Sequence, residues 1–147
     1  MTKIKKIEFN SKSYNELLKF RFCKLRKPLG LLWSKQDLKN ENNQIHFALI
    51  KDKKIIGSCV LKKINNKKAR IRQMAIEDIY RNKGYGKKIL NEAENYAKIN
   101  GFKEIMLTAR VSARKFYLKN GYTEIGEVFI DVTVESIMMI KELYEKN

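Results

Sequence analysis

Residues 71–90 of this 147-residue chain read IRQMAIEDIYRNKGYGKKIL, and this stretch decides the fold. A strand-like run ends at Ile76, a polar loop follows, and from Lys87 apolar residues recur at the spacing of one helix face. Gly84 and Gly86 stand at the junction, where the first N–H groups of a helix have no internal partners. The pattern therefore predicts a loop at which a bulky anion, such as a pyrophosphate, can approach the backbone closely.

The segments on either side predict one domain over residues 1–147 with a mixed α/β sheet, since its length suits a single domain. Alternation and turn residues predict strands at 3–9, 46–51, 54–62, 68–76, 103–109, 122–130 and 134–143. Helical spacing predicts a helix from Tyr14 to near Lys27, a second from Lys87 that stops at Gly101, and a short third over 112–119. Asn10 or Ser11 is available as the cap of the first helix.

The charge of the chain is unusual, with 32 Lys and Arg against 16 Asp and Glu and a formal net charge of +16. Because lysines far outnumber arginines and are dispersed over most of the chain, this pattern favours a general solvated surface over a nucleic-acid-binding stripe. A nucleic-acid-binding module nevertheless stays open as an alternative. The net positive charge also favours binding of anionic ligands.

Other composition features exclude several classes of protein. Cys23 and Cys59 form no CxxC pair, and with His46 as the chain's one histidine we expect no metal site. No apolar run approaches the roughly 18 residues of a membrane span. The first residues lack the apolar core of a signal peptide, so we expect a cytoplasmic protein with no membrane partner.

The sequence of the glycine loop does not match either of two common nucleotide-binding motifs. A P-loop needs a Ser or Thr after the lysine, whereas Gly86 is followed by Lys87 and Lys88. A dinucleotide-binding fold needs a third glycine where Ile89 stands, and it needs the loop after the first strand rather than after about the fourth. An Arg-x-x-Gly-x-Gly loop after a central strand is what remains.

With this loop the chain resembles the GNAT superfamily of acyl-CoA-dependent N-acetyltransferases. The resemblance rests on two motifs in order, of which the first is Arg81, Gly84 and Gly86, and the second is Ala113, Phe116, Tyr117, Gly121 and Tyr122. It extends from about Leu25 to Leu143 and is closest to a branch of small single-domain proteins. Two departures stand out: Arg110 occupies a position where many members have Asn, and residues 133–136 lack a His expected near the last strand.

The resemblance implies a GNAT acyl-CoA N-acyltransferase fold and acetyl-CoA as the co-substrate. The pyrophosphate would lie on a loop formed by Arg81, Asn82, Lys83, Gly84, Tyr85, Gly86 and Lys87. The pantetheine arm would lie along the strand residues Gln73, Met74, Ala75 and Ile76. One N–H near Met74 or Ala75 would polarise the thioester carbonyl.

The resemblance also implies direct attack of a primary amine on the thioester. Tyr117 would protonate the departing thiolate, and Glu77 is the first candidate for the base that deprotonates the amine. Glu127, Asp131 and Glu135 are alternative bases. The acceptor wall would include Arg26, Trp33, Arg72 and Glu135.

Three functions are therefore left open by the sequence. The first is an N-acetyltransferase acting on a small-molecule or peptide amine, with acceptors that bear an acidic group favoured by the basic charge. The second is an acyl-CoA-binding sensor without turnover, and the third is the nucleic-acid-binding module. A homodimer is a further expectation, because dimers are common among proteins of this type.

Overall fold

The computed structural model describes residues 2–33 and 38–143. Its strands are β1 (Thr2–Ile7), β2 (Ile45–Lys51), β3 (Lys54–Lys63), β4 (Lys68–Ile76), β5 (Glu104–Arg110), β6 (Thr123–Asp131) and β7 (Val134–Glu142). Its helices are α1 (Lys12–Leu25), α2 (Tyr85–Ile99) and α3 (Arg114–Lys119), with short 3₁₀ turns between elements. The order of strands and helices predicted from the sequence is confirmed.

The seven strands form one sheet in the order β1-β2-β3-β4-β5-β7-β6. The β4–β5 pair is parallel, and the other neighbouring pairs are antiparallel. The sheet is therefore mixed, as predicted, and its one parallel junction lies at the centre. Helix α2 connects the two parallel strands, as a crossover connection requires.

Local sequence signals account for the ends of the elements. The Ser11 side chain accepts a hydrogen bond from the Tyr14 N–H and caps α1. The helix ends at Leu25, two residues before the predicted end, because Pro28 enters a 3₁₀ turn directly after it. Asp52 and Lys53 both have positive φ, of 49° and 68°, which is the geometry of a tight hairpin turn.

The two faces of the sheet carry different interiors. Helix α2 packs on one face over a large apolar cluster that includes Leu49, Leu61, Ile105 and Leu107. Helix α1 packs on the other face, where a small apolar cluster around Leu17 adjoins buried polar side chains. We call these the α2 face and the α1 face. Within the described ranges, no helix is long and apolar enough to cross a membrane.

Candidate active site

The central feature of the site is an opening between the parallel strands β4 and β5. The two strands are paired at Lys68–Glu104, Ala69–Ile105 and Arg70–Met106 only. Strand β4 continues to Ile76 and stays paired with β3 up to Gly57–Ile76, while β5 stays paired with β7. Beyond Arg70, the edge of β4 that faces β5 therefore offers main-chain groups to a ligand instead of to a strand.

A bulge in β4 sets the direction of the main-chain N–H and carbonyl groups that border the opening. Gln73 has a φ of 53°, the register with β3 shifts there, and the Ser58 hydroxyl donates a 2.7 Å hydrogen bond to the Gln73 carbonyl. After the bulge, the Glu77 N–H bonds the Ile56 carbonyl of β3 at 2.7 Å. Because main-chain groups alternate along a strand, those of Met74 and Ile76 face the opening and those of Ala75 face β3.

The glycine loop closes the carboxyl end of this opening. Gly84, with a φ of 86°, is the residue before α2, which begins at Tyr85 rather than at the predicted Lys87. The first free N–H groups of the helix are therefore those of Tyr85, Gly86 and Lys87. Close packing accounts for the glycine at position 86, because a Cβ there would lie 3.1 Å from the Phe116 ring of α3.

Charged residues border the loop. Arg81 lies 3.3 Å from Asp78, and both side chains are exposed. Lys83 lies over the Tyr80 ring at 5.9 Å. Asn82 has a φ of 61° and is exposed, like the residues on either side of it. The structure thus brings the predicted loop residues together at a solvent-facing helix N-terminus that favours an anion.

Tyr117 lies on the α2 face, in the apolar cluster. Its ring centroid is 5.6 Å from that of Tyr122 and 5.1 Å from that of Phe116, and the residue is only 7% exposed. Burial, with a contribution from the neighbouring Cys59, raises the pKa of the Tyr117 hydroxyl, so it stays protonated at neutral pH. The hydroxyl has no hydrogen-bond partner in the described part of the chain, which leaves its proton available.

Glu77, the first candidate base, is held by its neighbours. Its carboxylate forms an ion pair with Lys24 of α1 and accepts a 3.3 Å hydrogen bond from the Asp78 N–H, so that it caps a 3₁₀ turn. This placement ties α1 to the start of the glycine loop. A role for Glu77 as a base stays a prediction.

The predicted acceptor residues lie in three places. Arg26 follows α1 as its C-cap, is 9% exposed, and stacks its guanidinium on the Trp33 ring at 5.3 Å. Arg72 projects from β4 onto the α1 face and donates to Glu41 at 3.2 Å and to Gln44. Glu135 is exposed at the start of β7. Arg26 and Trp33 are brought together, whereas Arg72 bonds a carboxylate of the protein itself.

Sequence reasoning missed a buried polar network on the α1 face. Glu41, 1% exposed, accepts hydrogen bonds from Tyr14 at 2.9 Å, from Arg21 at 2.8 and 3.3 Å, and from Arg72. His46 donates its Nε2 proton to the Glu41 carbonyl at 2.8 Å. No local pattern marks Glu41, because it stands in a polar stretch and its partners come from α1 and β4.

Charge pairing sets the protonation states in this network. Burial by itself would raise the pKa of Glu41, but the hydrogen bonds and charge of Arg21 outweigh it and hold that pKa below its usual value. Burial lowers the pKa of His46, which keeps the imidazole neutral. The buried carboxylate of Glu41 is thus charged and is paired with the guanidiniums of Arg21 and Arg72.

The opening beside β4, the bulge and the glycine loop form one slot, which is edged by strand main chain and ends at a helix N-terminus that favours an anion. A comparison with protein families gives the class of protein to which this architecture belongs. Residues 11–122 match the family model described as acetyltransferase (GNAT) family, which is more than half of the chain. The chain therefore belongs to the GNAT family of acetyltransferases, and the predicted family and fold are confirmed.

Individual proteins resemble the chain over different lengths. A tRNA uridine(34) acetyltransferase of Methanocaldococcus jannaschii is 43% identical over 51 residues, which are 34% of this chain and 9% of that protein. Escherichia coli ElaA has a TM-score of 0.83 at 17% identity, covering 97% of this chain and 100% of ElaA. A GNAT acetyltransferase of Elizabethkingia anophelis, solved with acetyl-CoA bound, has a TM-score of 0.73 at 18% identity over 97% of this chain and 98% of its own. These structures share the fold.

Proposed function

We propose that the protein transfers the acetyl group of acetyl-CoA to a primary amine. One observation carries the proposal: β4 leaves β5 after Arg70, and the resulting slot ends at the glycine loop. A slot edged by strand main chain suits the amide-containing pantetheine arm, and the helix N-terminus suits a pyrophosphate. Family membership supports acetyl transfer in general.

The residues of β4 and the loop would divide the binding of acetyl-CoA between them. The N–H groups of Tyr85, Gly86 and Lys87, with the side chains of Arg81, Asn82 and Lys83, would hold the pyrophosphate at Gly84. The main chain from Gln73 to Ile76 would pair with the pantetheine arm. Of the two predicted donors to the thioester carbonyl, we favour the N–H of Met74 over that of Ala75, because the alternation places Met74 toward the opening.

The chemistry needs proton movements at three groups: the amine, the leaving thiolate and Tyr117. The neutral amine nitrogen attacks the thioester carbon, the carbon–sulfur bond breaks, and the thiolate takes the hydroxyl proton of Tyr117. The nitrogen, which is positively charged after the attack, loses a proton to water, and the tyrosinate regains a proton from water, so the amide, the thiol and the tyrosine all end neutral. The attacking ammonium first loses a proton to a base or to water, since an alkylammonium is almost wholly charged at pH 7. Glu77 is the first candidate for this base, with Glu127, Asp131 and Glu135 as alternatives.

We further propose that the acceptor is an amine with an acidic group, such as an amino acid or an amino-sugar phosphate. The net charge of +16 supports this class over polyamines. Arg26, Trp33, Arg72 and Glu135 are the proposed acceptor residues. A homodimer is also proposed, and the exposed apolar residues of edge strand β6 support it, namely Ile125, Val128, Phe129 and Ile130.

The first experiment is a thiol-release assay with acetyl-CoA against a panel of primary amines, together with calorimetry of CoA binding. We expect CoA to bind and at least one amine to release thiol. Absence of CoA binding would overturn the proposal. Binding without turnover on any amine would favour an acyl-CoA sensor, and salt-sensitive RNA binding without CoA binding would favour a nucleic-acid-binding module.

A glycine pair tests the loop assignment. We expect Gly84→Asp to weaken CoA binding by about 100-fold or more, because it places a carboxylate against the pyrophosphate. Gly101→Asp is the matched control, since Gly101 has a φ of 88° and, like Gly84, open space where a Cβ would stand. Calorimetry compares the two variants. Equal affinities would show that the loop does not hold CoA.

Tyr117→Phe tests the proposed acid. We expect kcat to fall by about 100-fold while the Kd for CoA stays nearly constant, since the ring remains and only the proton is lost. Tyr96→Phe is the control and should retain kcat, because Tyr96 is a partly buried tyrosine of α2 whose ring packs on Phe47. An unchanged kcat in Tyr117→Phe would assign the proton to another donor.

A further inference from the structure

Two residues of the second sequence motif, Gly121 and Tyr122, lie directly after α3, the helix that carries Tyr117. Helix α3 has only six residues, Arg114–Lys119, and a helix so short is not stable by itself. Its position on the sheet therefore depends on contacts with other elements. Because Tyr117 is the proposed acid, the same contacts determine where its hydroxyl lies.

Lys141 of β7 bonds the end of this helix. Its Nζ donates a 2.8 Å hydrogen bond to the carbonyl of Asn120, the C-cap of α3, and a 2.9 Å hydrogen bond to Glu94 of α2. Gly121 leaves room for the lysine side chain, since a Cβ there would lie 3.3 Å from the Lys141 Cε. One ammonium group thus connects β7, α2 and the end of α3.

Glu94 also bonds Tyr122. Glu94 is 7% exposed and Tyr122 is 1% exposed, and the Tyr122 hydroxyl donates to the second carboxylate oxygen of Glu94 at 2.7 Å. The Lys141 ammonium lies 5.6 Å from the centroid of the Tyr122 ring. These contacts fix their members in place, because breaking any of them would leave a buried polar group without a partner. We call Glu94, Lys141 and Tyr122 the α3 anchor.

The α3 anchor is connected to Tyr117 through its main chain and through its ring. The N–H groups of Asn120 and Tyr122 both donate to the Tyr117 carbonyl, each at 3.0 Å. The rings of Tyr117 and Tyr122 meet edge to face, with centroids 5.6 Å apart. Since the Tyr122 hydroxyl is engaged by Glu94, Tyr117 is the member of this pair whose proton is available to a ligand.

We propose that Glu94 and Lys141 are positioning residues, which hold α3 so that the Tyr117 hydroxyl reaches the thiolate leaving acetyl-CoA. This inference rests on the proposed acetyl transfer, with Tyr117 as its acid, and deepens it. A proton is transferred only between atoms within hydrogen-bond reach, so a displacement of α3 by about 1 Å is enough to slow the step. In this role neither residue needs to contact CoA or the amine.

Kinetics in two backgrounds test the α3 anchor. We expect Lys141→Met to lower kcat roughly 10-fold, with the KM for acetyl-CoA changed less than about twofold. Lys141→Arg keeps the charge and the donors and should recover part of the loss. In a Tyr117→Phe background, Lys141→Met should change kcat by less than about twofold, because the proton that the anchor positions is already gone. Equal fold losses in the two backgrounds, or a Lys141→Met variant with wild-type kcat, would overturn the proposal.

The matched control is Lys68→Met. Lys68 also pairs with a glutamate, Glu104 at 3.3 Å, but strand alternation places both side chains on the α1 face, so kcat should stay at the wild-type value. Glu94→Gln is a second variant, which keeps an oxygen for Tyr122 and removes the charge that pairs with Lys141. Its kcat should fall as in Lys141→Met. A folded Glu94→Gln protein with wild-type kcat would contradict the proposal.

Amide hydrogen exchange, followed by NMR, gives a readout independent of turnover. The N–H groups of Asn120 and Tyr122 should exchange at least about tenfold faster in Lys141→Met than in wild type, and at the wild-type rate in Lys68→Met. Unchanged exchange in Lys141→Met would overturn the α3 anchor. Faster exchange in a protein that acetylates no amine would overturn the transfer proposal and retain the anchor.

Discussion

The two faces of the central sheet are held together by different forces. On the α2 face, 19 buried residues among those described form one cluster, nearly all of them apolar. On the α1 face, the apolar cluster has four buried residues, and Glu41, Arg21 and His46 fill the neighbouring interior. The α2 face is stabilised by burial of apolar area, which requires no particular orientation of the side chains. The α1 face depends on hydrogen bonds and ion pairs between particular residues.

This difference also divides the proposed chemistry. On the α2 face, the Phe116 ring packs closely against Gly86 of the glycine loop. The same face buries Tyr117 among apolar side chains. The α1 face presents charged side chains at the same opening from the other side. In the proposed reaction the amine, which is the nucleophile, would thus meet the polar face, while Tyr117, the proposed proton donor, lies in the apolar one.

Two substitutions that conserve volume should separate the faces most strongly. We expect Glu41→Gln to lower the free energy of unfolding by about 3 kcal/mol or more, because Arg21, which is fully buried, loses its charged partner. Leu90→Met, at a fully buried position of α2, should cost less than about 1.5 kcal/mol. Urea unfolding measures both values. A smaller loss in Glu41→Gln than in Leu90→Met would show that packing, not charge, holds the α1 face.

Sequence predicted the features that local residues determine. The bounds of β4 agree with the prediction, as do the Ser11 cap and the Asp52–Lys53 turn, because alternation and turn chemistry act over a few residues. The network around Glu41 escaped prediction for a physical reason. Glu41 meets Arg21 across 20 positions and Arg72 across 31, and only the packing of α1 on the sheet brings them together.

The same reason applies to the site. The glycine loop has a motif with a local mechanism and could be located from the sequence, whereas the engagement of Glu77 by Lys24, 53 positions away, could not. The place where β4 leaves β5 has no sequence signature either, because it depends on how the two strands pair.

Acidification should weaken the α1 face in two steps. His46 has a pKa lowered from 6.5 and Glu41 a pKa lowered from 4.5, so in both ranges the unfolded chain binds more protons than the folded one. Stability is therefore fully present above pH 6.5 and falls as the pH drops, first through His46 and then, below 4.5, through Glu41. We expect His46→Gln to flatten the first step and Glu41→Gln the second in urea unfolding at several pH values. A stability that rises on acidification would contradict this network.

The smallest effect should come from Ser58, where the α1 face touches the β4 bulge. Ser58 is fully buried, and its hydroxyl donates to the carbonyl of Gln73, the residue with positive φ. We expect Ser58→Ala to cost about 1 kcal/mol of stability, the usual value of one hydrogen bond. Because the bulge orients the Met74 N–H, kcat should also fall several-fold while the Kd for CoA, set at the loop, stays constant. Ser58→Thr, which keeps the hydroxyl, should restore kcat if this bond positions the bulge. A loss of kcat in Ser58→Ala that Ser58→Thr fails to reverse would assign the effect to packing beside β4. The contact between the α1 face and the bulge would then depend on side-chain volume and not on the hydrogen bond from Ser58 to Gln73.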